Sequence, residues 1–299
     1  MITSFGPGKV IVLGEHGVVY GHPALAGAIS RGVRATGTPS ESPALELPEG
    51  LSDAQLEVLE RAFEVAVKKT RYPPVSVEVI SELPLSMGLG SSGALSVAIS
   101  RVLLHARTGA PPKTAEVEKL ALAMEKAFHG TPSGVDHTTS ARASLLLYQR
   151  GEAKQVRSKV PLRLLIALVG PRASTRQTVA ALRERQARWP KRYRRLFEHI
   201  GALVQDGAAA VRRGDLEGLG DVMNLNQGLL SALGLSSRPI DEMVYRLRSL
   251  GALGAKLTGA GGDGGAVIGL FHQPEKAAAS LRRDGIDCFV SQLAGPETP

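Results

Sequence analysis

The 299-residue chain has little cysteine, few aromatic residues and no long apolar run. Its single cysteine, Cys288, excludes an internal disulfide framework and a cysteine-rich zinc site. No apolar stretch is long enough to cross a bilayer, and the first five residues lack the basic and apolar regions of a signal peptide. We therefore expect a cytoplasmic protein that has no membrane partner.

Acidic residues are outnumbered, since 36 Lys and Arg face 28 Asp and Glu and give a net charge of +8. A basic protein suits anionic ligands without identifying them. Residues 183–195 hold seven Lys or Arg and one Glu. Because aromatic residues for base stacking make up only 4% of the chain, we expect a solvated helix face there and no nucleic-acid partner. A basic RNA-binding protein is the alternative.

A glycine-rich turn separates a predicted strand, Val75 to Ile80, from a predicted helix, Ala94 to Leu104. Backbone N–H groups and the helix dipole make such a turn a candidate phosphate-binding loop. The turn lacks the Gly-Lys-Ser/Thr ending of a Walker A loop. A plain Ser/Gly helix cap is the alternative. The residues of the candidate loop are Gly88, Leu89, Gly90, Ser91, Ser92 and Gly93.

Polar residues interrupt two otherwise apolar regions near the N-terminus. The run from Gly8 to Leu13 predicts a buried strand that contains Lys9, and Glu15 and His16 follow it after Gly14. These residues are candidates for function. The structural alternatives are a lysine whose amine reaches the surface and a hydrogen-bonded core histidine.

A second set of polar residues follows a predicted helix, Glu116 to His129, in which Glu125 and His129 are one turn apart. The Gly/Pro-containing loop after this helix ends in Asp136. The carboxylate of Asp136 is a candidate for chemistry, and capping of a following helix is the alternative.

Polar residues 151–159 predict a division into two domains, 1–155 and 156–299. Residues 36–48 are predicted to form a loop. In the second domain we expect strands at 162–169, 266–271 and 288–293, a helix at 275–284, and mostly helical structure over 179–251 with breaks near Gly214 and Gly234. A further glycine-rich segment, 258–265, is a second candidate loop, with a tight hairpin as the alternative.

Four stretches, taken in order, resemble the GHMP kinases and within them the mevalonate kinase branch. They are Pro7 to Leu25, the loop Gly88 to Gly93, Glu125 with His129 to Asp136, and Lys256 to Gly265. The resemblance runs from residue 6 to about residue 272. It implies an α+β, two-domain GHMP kinase fold, with an N-terminal domain like domain 2 of ribosomal protein S5 and a ferredoxin-like C-terminal domain.

The activity implied by the resemblance is ATP- and Mg²⁺-dependent phosphorylation of the C5 hydroxyl of mevalonate. The runner-up is a related kinase that acts on phosphomevalonate or another small hydroxylated acid. Small-molecule substrates are therefore the expected partners, and a homodimer is common among similar proteins.

The resemblance also assigns roles to individual residues. Residues 88–93 would bind the ATP phosphates, and Ser92 and Glu125 would hold Mg²⁺. Asp136 would orient or deprotonate the acceptor hydroxyl, while Lys9 would stabilise developing charge. The expected mevalonate pocket consists of Glu15, His16, Thr175, Gly261 and Gly262.

Three positions depart from the pattern of the family. Gly93 stands where an alanine is common, and we expect it to loosen the start of its helix. Asp263 adds negative charge to the second glycine-rich segment, which should weaken phosphate binding unless it points to solvent or pairs with a cation. His137 stands where many members have asparagine.

Overall fold

The computed structural model describes residues 1–47, 50–84, 87–170 and 175–293, with the side chains of 175–177 excluded. The described part contains ten strands and nine α-helices. The strands are β1 (Ile2–Leu13), β2 (Ala24–Pro39), β3 (Ala44–Glu46), β4 (Val75–Ser81), β5 (Leu145–Gln149), β6 (Glu152–Gln155), β7 (Arg163–Val169), β8 (Gly254–Thr258), β9 (Gly265–Phe271) and β10 (Cys288–Gln292). The helices are α1 (Asp53–Thr70), α2 (Ser91–Thr108), α3 (Thr114–His129), α4 (Val135–Arg142), α5 (Thr175–Arg188), α6 (Pro190–Arg213), α7 (Leu216–Ala232), α8 (Arg238–Ser249) and α9 (Glu275–Arg283).

Internal contacts divide the chain into two compact units, each built from separate stretches of sequence. Unit 1 comprises Met1–Lys9, Arg31–Pro84 and Gly90–Ala143. Unit 2 comprises Val10–Ser30, Leu85–Leu89 and Ser144–Pro299. The predicted domain division between residues 155 and 156 stays a prediction.

Unit 1 combines sheet strands with helices α1 to α4. Strand β4 pairs antiparallel with the second half of β2, from Val33 opposite Ser81 to Pro39 opposite Val75, and parallel with β3. Helix α1 begins at a capping box formed by Ser52 and Gln55. Helices α1 and α2 both pack against α3, and α2 also packs against α4. This packing fixes the start of α2 and the start of α4, which carry candidate site residues.

Unit 2 contains a four-stranded antiparallel sheet in the order β10-β7-β9-β8 and a second set of paired strands, β2-β5-β6. Every residue of β8 and β9 is buried. Apolar side chains from the sheet, α6, α7, α8 and α9 form one core, which includes Phe197, Leu257 and Val267. The hydrophobic effect of this burial holds β8 in place, and β8 leads into the second glycine-rich segment.

The structure confirms several elements predicted from sequence and corrects others. The prediction of a loop from residue 36 is wrong for residues 36–39, which belong to β2, and for 44–46, which form β3, but holds for residues 40–43 between them; Pro48 lies outside the described residues. Hydrogen bonds to β4 stabilise both segments despite their Pro, Ser and Thr content. The helical region breaks at Gly214 and near Gly234 as predicted, and also at Trp189, before Pro190. Across the described ranges, none of the helices could cross a membrane.

Candidate active site

The glycine-rich turn leads directly into α2, which begins at Ser91, three residues earlier than predicted. Gly90 precedes it in a left-handed conformation with φ 71°, and no side chain caps the helix. The N-cap is therefore a glycine, as the Ser/Gly cap alternative allows, but no serine side chain caps the helix. A methyl group on Gly90 would lie 2.8 Å from Lys9 Cγ, so the glycine lets the turn pack against the lysine stem. The first N–H groups of α2 have no acceptor within the helix and are suited to an anion.

Lys9 and Asp136 form an ion pair inside unit 1, with 3.2 Å between Lys9 Nζ and Asp136 Oδ1. Lys9 is only 4% exposed, so the alternative of a lysine whose amine lies at the surface is wrong. Asp136 lies in the first turn of α4, whose N-cap is Gly134. The alternative that Asp136 caps this helix is therefore wrong. Strand β1 supplies the cation and α4 supplies the carboxylate.

Glu125 lies beside this pair on α3 and is 2% exposed. Ser96 Oγ donates a hydrogen bond of 3.5 Å to Glu125 Oε1, and Ser92 also bonds to the carboxyl group. Burial raises the pKa of Glu125 to about 8, and the negative charge of Asp136 adds to the increase. The hydrogen bonds from Ser92 and Ser96 and the charge of Lys9 oppose it. Ser92 Oγ is also 3.0 Å from His129 Nε2.

The donors at this point fit a magnesium ion. Ser92 supplies a hydroxyl and Glu125 a carboxylate, both hard oxygen donors. Within the described part of the chain no three His, Cys, Asp or Glu side chains form a metal-binding cluster. Mg²⁺ takes one or two carboxylates and completes its shell with waters and nucleotide phosphates, so a sparse protein donor set is appropriate. A cation beside Glu125 would also offset the cost of burying its charge.

Gly93 has a steric role beside the Lys9–Asp136 ion pair. A Cβ atom at position 93 would lie 2.9 Å from the carbonyl carbon of Asp136 and 3.0 Å from the amide nitrogen of His137. Glycine therefore allows the first turn of α2 to pack directly against the first turn of α4. Burial lowers the pKa of the neighbouring His137.

A separate group of candidate residues lies in unit 2, where Glu15 and His16 follow β1. Glu15 is fully buried and accepts a hydrogen bond from the ammonium group of Lys256. His16 Nε2 is 2.8 Å from the carbonyl oxygen of Ala260, and His16 has a φ of 56°. Burial lowers the pKa of His16, which favours the neutral ring. These contacts match the alternative of a hydrogen-bonded core histidine, and the functional role of His16 stays a prediction.

The second glycine-rich segment joins the antiparallel strands β8 and β9, so it does form a hairpin, but the six residues between Thr258 and Gly265 make a longer loop than the tight hairpin alternative. Gly261 and Gly262 both have positive φ, at 66° and 101°, and Gly262 N donates to Leu235 O over 2.9 Å. A Cβ atom on Gly261 would lie 2.2 Å from that same oxygen, which excludes other residues. Asp263 is exposed. Thr175 is the first residue of α5, and its side chain lies outside the described residues.

The structure thus places the candidates in two groups. Unit 1 brings together Lys9, Asp136, Glu125 and the loop residues Gly90 to Gly93. Unit 2 contains the others: Glu15, His16, Gly88, Leu89, Thr175, Gly261 and Gly262. Gly88 packs closely there, because a Cβ atom on it would lie 3.0 Å from Thr258 O. Lys256 has no role assigned from the sequence, where it only begins the fourth matching stretch, and the structure places it in the wholly buried strand β8.

Two family models match the chain. The GHMP kinase N-terminal domain matches residues 57–143, and the C-terminal region of GHMP kinases matches residues 208–287. The predicted α+β, two-domain GHMP kinase fold is confirmed by these matches and by similar solved structures.

Similar proteins carry the name mevalonate kinase. The one from Aeropyrum pernix is 39% identical, covering 96% of this chain and 94% of its own length. The one from Methanothermobacter thermautotrophicus is 35% identical, covering 89% of each chain. The crystal structure of L. major mevalonate kinase in complex with R-mevalonate is 27% identical with a TM-score of 0.85, covering 99% of this chain and 97% of that one.

Proposed function

The chain belongs to the mevalonate kinase family of the GHMP kinases, and we propose that it transfers the γ-phosphoryl group of ATP to the C5 hydroxyl of mevalonate. The observation that carries the proposal is the Lys9–Asp136 ion pair beside Glu125 and the start of α2. A cation, a carboxylate, a metal donor and helix N–H groups are the components that phosphoryl transfer to a hydroxyl requires.

In this proposal Asp136 accepts a hydrogen bond from the acceptor hydroxyl and orients its oxygen towards the phosphoryl group. Because the carboxylate is already ion-paired with Lys9, we assign it mainly an orienting role, with proton acceptance late in the reaction. The ammonium group of Lys9 stabilises the negative charge that develops on the hydroxyl oxygen and the transferred group.

The nucleotide phosphates are proposed to bind the backbone N–H groups of residues 88–93, where glycine and serine allow close approach. Ser92 Oγ and Glu125 would hold Mg²⁺. When it is bound, the ion supplies positive charge against the phosphates. Glu125 must lose its proton to act as a ligand, which its raised pKa makes dependent on pH.

The acceptor pocket is proposed to consist of His16, Thr175, Gly261 and Gly262, with Glu15 contributing from its buried position. In the neutral imidazole, Nε2–H donates to Ala260 O, which leaves Nδ1 as an acceptor for a substrate hydroxyl group. A cytoplasmic location, a homodimer and the absence of a nucleic-acid partner stay predictions of the sequence.

The test is release of ADP from Mg-ATP with mevalonate, phosphomevalonate, galactose and homoserine, followed by the mass of any product. We expect turnover on mevalonate alone and a product that carries one phosphate at C5. Turnover on a different acceptor would overturn the substrate assignment. No turnover on any acceptor would overturn the proposed function.

A further inference from the structure

The ion pair between Glu15 and Lys256 is the most deeply buried pair of opposite charges that the structure describes. Both side chains have zero exposed surface. Lys256 Nζ also donates a hydrogen bond of 2.6 Å to Leu257 O. A carboxylate that has no exposed surface and is bonded to an ammonium group cannot contact a bound substrate directly. Glu15 must therefore act in some way other than by direct contact with the acceptor.

The pair connects the two segments of unit 2 that carry the proposed acceptor-binding residues. Glu15 lies between Gly14, whose N–H donates to Asn226 Oδ1 over 3.2 Å, and His16, whose ring bonds to Ala260 O. Lys256 lies in β8, which leads into Gly261 and Gly262. One side of the pair thus holds the His16 segment, and the other holds the strand that begins the glycine-rich hairpin.

We propose that Lys256 is a positioning residue for acceptor binding and that Glu15 works through it. The pair fixes His16 and the backbone of residues 258–264 in one arrangement, without touching substrate. This inference rests on the proposed function, because it explains how that pocket is held in shape. A buried ion pair often adds little net stability, but its strict geometry can fix one conformation.

We expect a functional effect because the ion pair imposes a fixed hydrogen-bond geometry that apolar packing does not. A single substitution destabilises the protein because it leaves the other charge buried without a partner. Replacement of both charges by apolar side chains avoids this unpaired charge. Apolar side chains can fill the same space but impose no fixed hydrogen-bond geometry. In the double variant, the His16 segment and β8 should then stay folded but no longer be held in one fixed position relative to each other.

The experiment compares Glu15→Met, Lys256→Met and the double variant with the wild type. A matched control is Glu64→Gln with Lys68→Met, a surface ion pair whose members are 57% and 60% exposed. The readouts are thermal midpoint, hydrogen–deuterium exchange of peptides covering residues 10–20 and 254–264, and the KM for acceptor and for ATP.

We expect both single variants to melt earlier than the wild type and the double variant to recover most of that loss. The double variant should still show faster hydrogen–deuterium exchange than the wild type in both peptides, with the exchange of α3 unchanged. Its KM for the acceptor should rise about tenfold while its KM for ATP stays within about twofold of the wild type, as expected when one binding group is misplaced. The control variant should match the wild type in every readout.

Three results would overturn the inference. Unchanged exchange in the double variant would show that the pair does not hold the two segments. Faster exchange with an unchanged acceptor KM would leave the pair a purely structural role. Additive KM effects of the two single substitutions would show that Glu15 acts independently of Lys256. If the wild type phosphorylates none of the tested acceptors, the proposed function fails, and the exchange measurement alone decides whether the pair holds the segments.

Discussion

The carboxylate of Asp136 carries the most demanding role proposed for a single residue. Its partner, Lys9, is almost fully buried, and the 3.2 Å contact between them fixes both side chains. Neither the pairing nor its burial is visible in the sequence, where the two residues are 127 positions apart. What the sequence does show is a lysine inside an apolar strand and an aspartate at the end of a Gly/Pro loop, which suffices to select them as candidates.

Asp136→Asn is predicted to lower kcat by about 10² to 10⁴, because an amide loses the charge that pairs with Lys9 and holds the side chain in its orienting position, and it cannot take the hydroxyl proton. Binding of ATP should change by less than about twofold, since residues 88–93 bind the phosphates in the proposed site. The measurements are steady-state kinetics and calorimetric titration of a non-hydrolysable ATP analogue. Near-normal turnover would remove Asp136 from catalysis. A melting curve must show that the variant is folded.

The ionisation of Glu125 gives a prediction about stability and pH. Its pKa is about 8 in the folded protein, compared with 4.5 for an exposed glutamate. The folded state therefore holds a proton that the unfolded state loses, so stability is full below pH 4.5 and falls as pH rises to 8. At about 1.4 kcal/mol for each pKa unit, the part lost between pH 6 and pH 9 is about 2–3 kcal/mol.

Glu125→Gln should abolish this loss, because glutamine does not ionise. The measurement is the denaturation midpoint at pH 6 and pH 9 in the presence of a chelator. The control is Glu57→Gln, which replaces an exposed carboxylate on α1 and should keep the pH dependence of the wild type. Equal pH dependence in Glu125→Gln and wild type would contradict the raised pKa.

At the scale of elements, the contact between the first turns of α2 and α4 determines the geometry of the site. It depends on Gly93, which has no room for a methyl group against the backbone of Asp136 and His137. The sequence suggested a loosened helix start at this position. The steric reason became visible only with α4 in place, because the clash involves backbone atoms 43 residues away.

Gly93→Ala is predicted to lower stability by about 1–3 kcal/mol, the usual cost of overpacking, and to lower kcat by displacing Asp136. Gly228→Ala is the matched control, since Gly228 lies in α7 with no atom within 4 Å of an added Cβ. That control should gain about 0.5–1 kcal/mol from the better helix propensity of alanine. The readouts are denaturant titration and kcat. A loss of stability in Gly93→Ala without any loss of kcat would mean that Asp136 stays in place.

Local patterns predicted the elements whose stability is local and missed those that depend on distant partners. Helix α3 shows its amphipathic spacing in the sequence, and β7 and β9 show continuous apolar runs. Strand β3 has no such pattern, and its three residues are held by parallel pairing with β4. Strand β8 was overlooked because its glycine, lysine and threonine resemble the loop that follows.

At the scale of the whole molecule, the net charge of +8 raises the question of nucleic-acid binding. Several basic side chains of residues 183–195 already have partners within unit 2. Arg185 donates to Leu233 O over 2.9 Å and to Gly234 O over 3.3 Å. Arg194 pairs with Glu198, and Arg192 lies over the ring of Trp189. These three of the seven basic side chains have partners within unit 2, although Arg192 and Arg194 stay exposed to solvent.

We predict only weak, non-specific binding of single-stranded RNA, with a Kd of about 10 μM or weaker at 150 mM salt. Fluorescence anisotropy with labelled RNA oligomers of different sequence, repeated from 50 to 300 mM salt, measures it. The Kd should rise steeply with salt and show no preference among sequences. Sequence-selective binding below about 1 μM at 150 mM salt would favour the RNA-binding alternative.

The pairing of Glu15 with Lys256 joins residues 241 positions apart, and the hydrogen bonds between Ile11 and Thr258 span 247 positions. On the ribosome, the first segment of unit 2 must therefore wait until almost the whole chain has been made. At about 5–20 residues per second, that delay is about 12–48 s. Throughout it, a carboxylate destined for the interior stays in water and the apolar residues around it stay uncovered. Residues 10–20 are consequently the part of the nascent polypeptide where a chaperone would be needed longest.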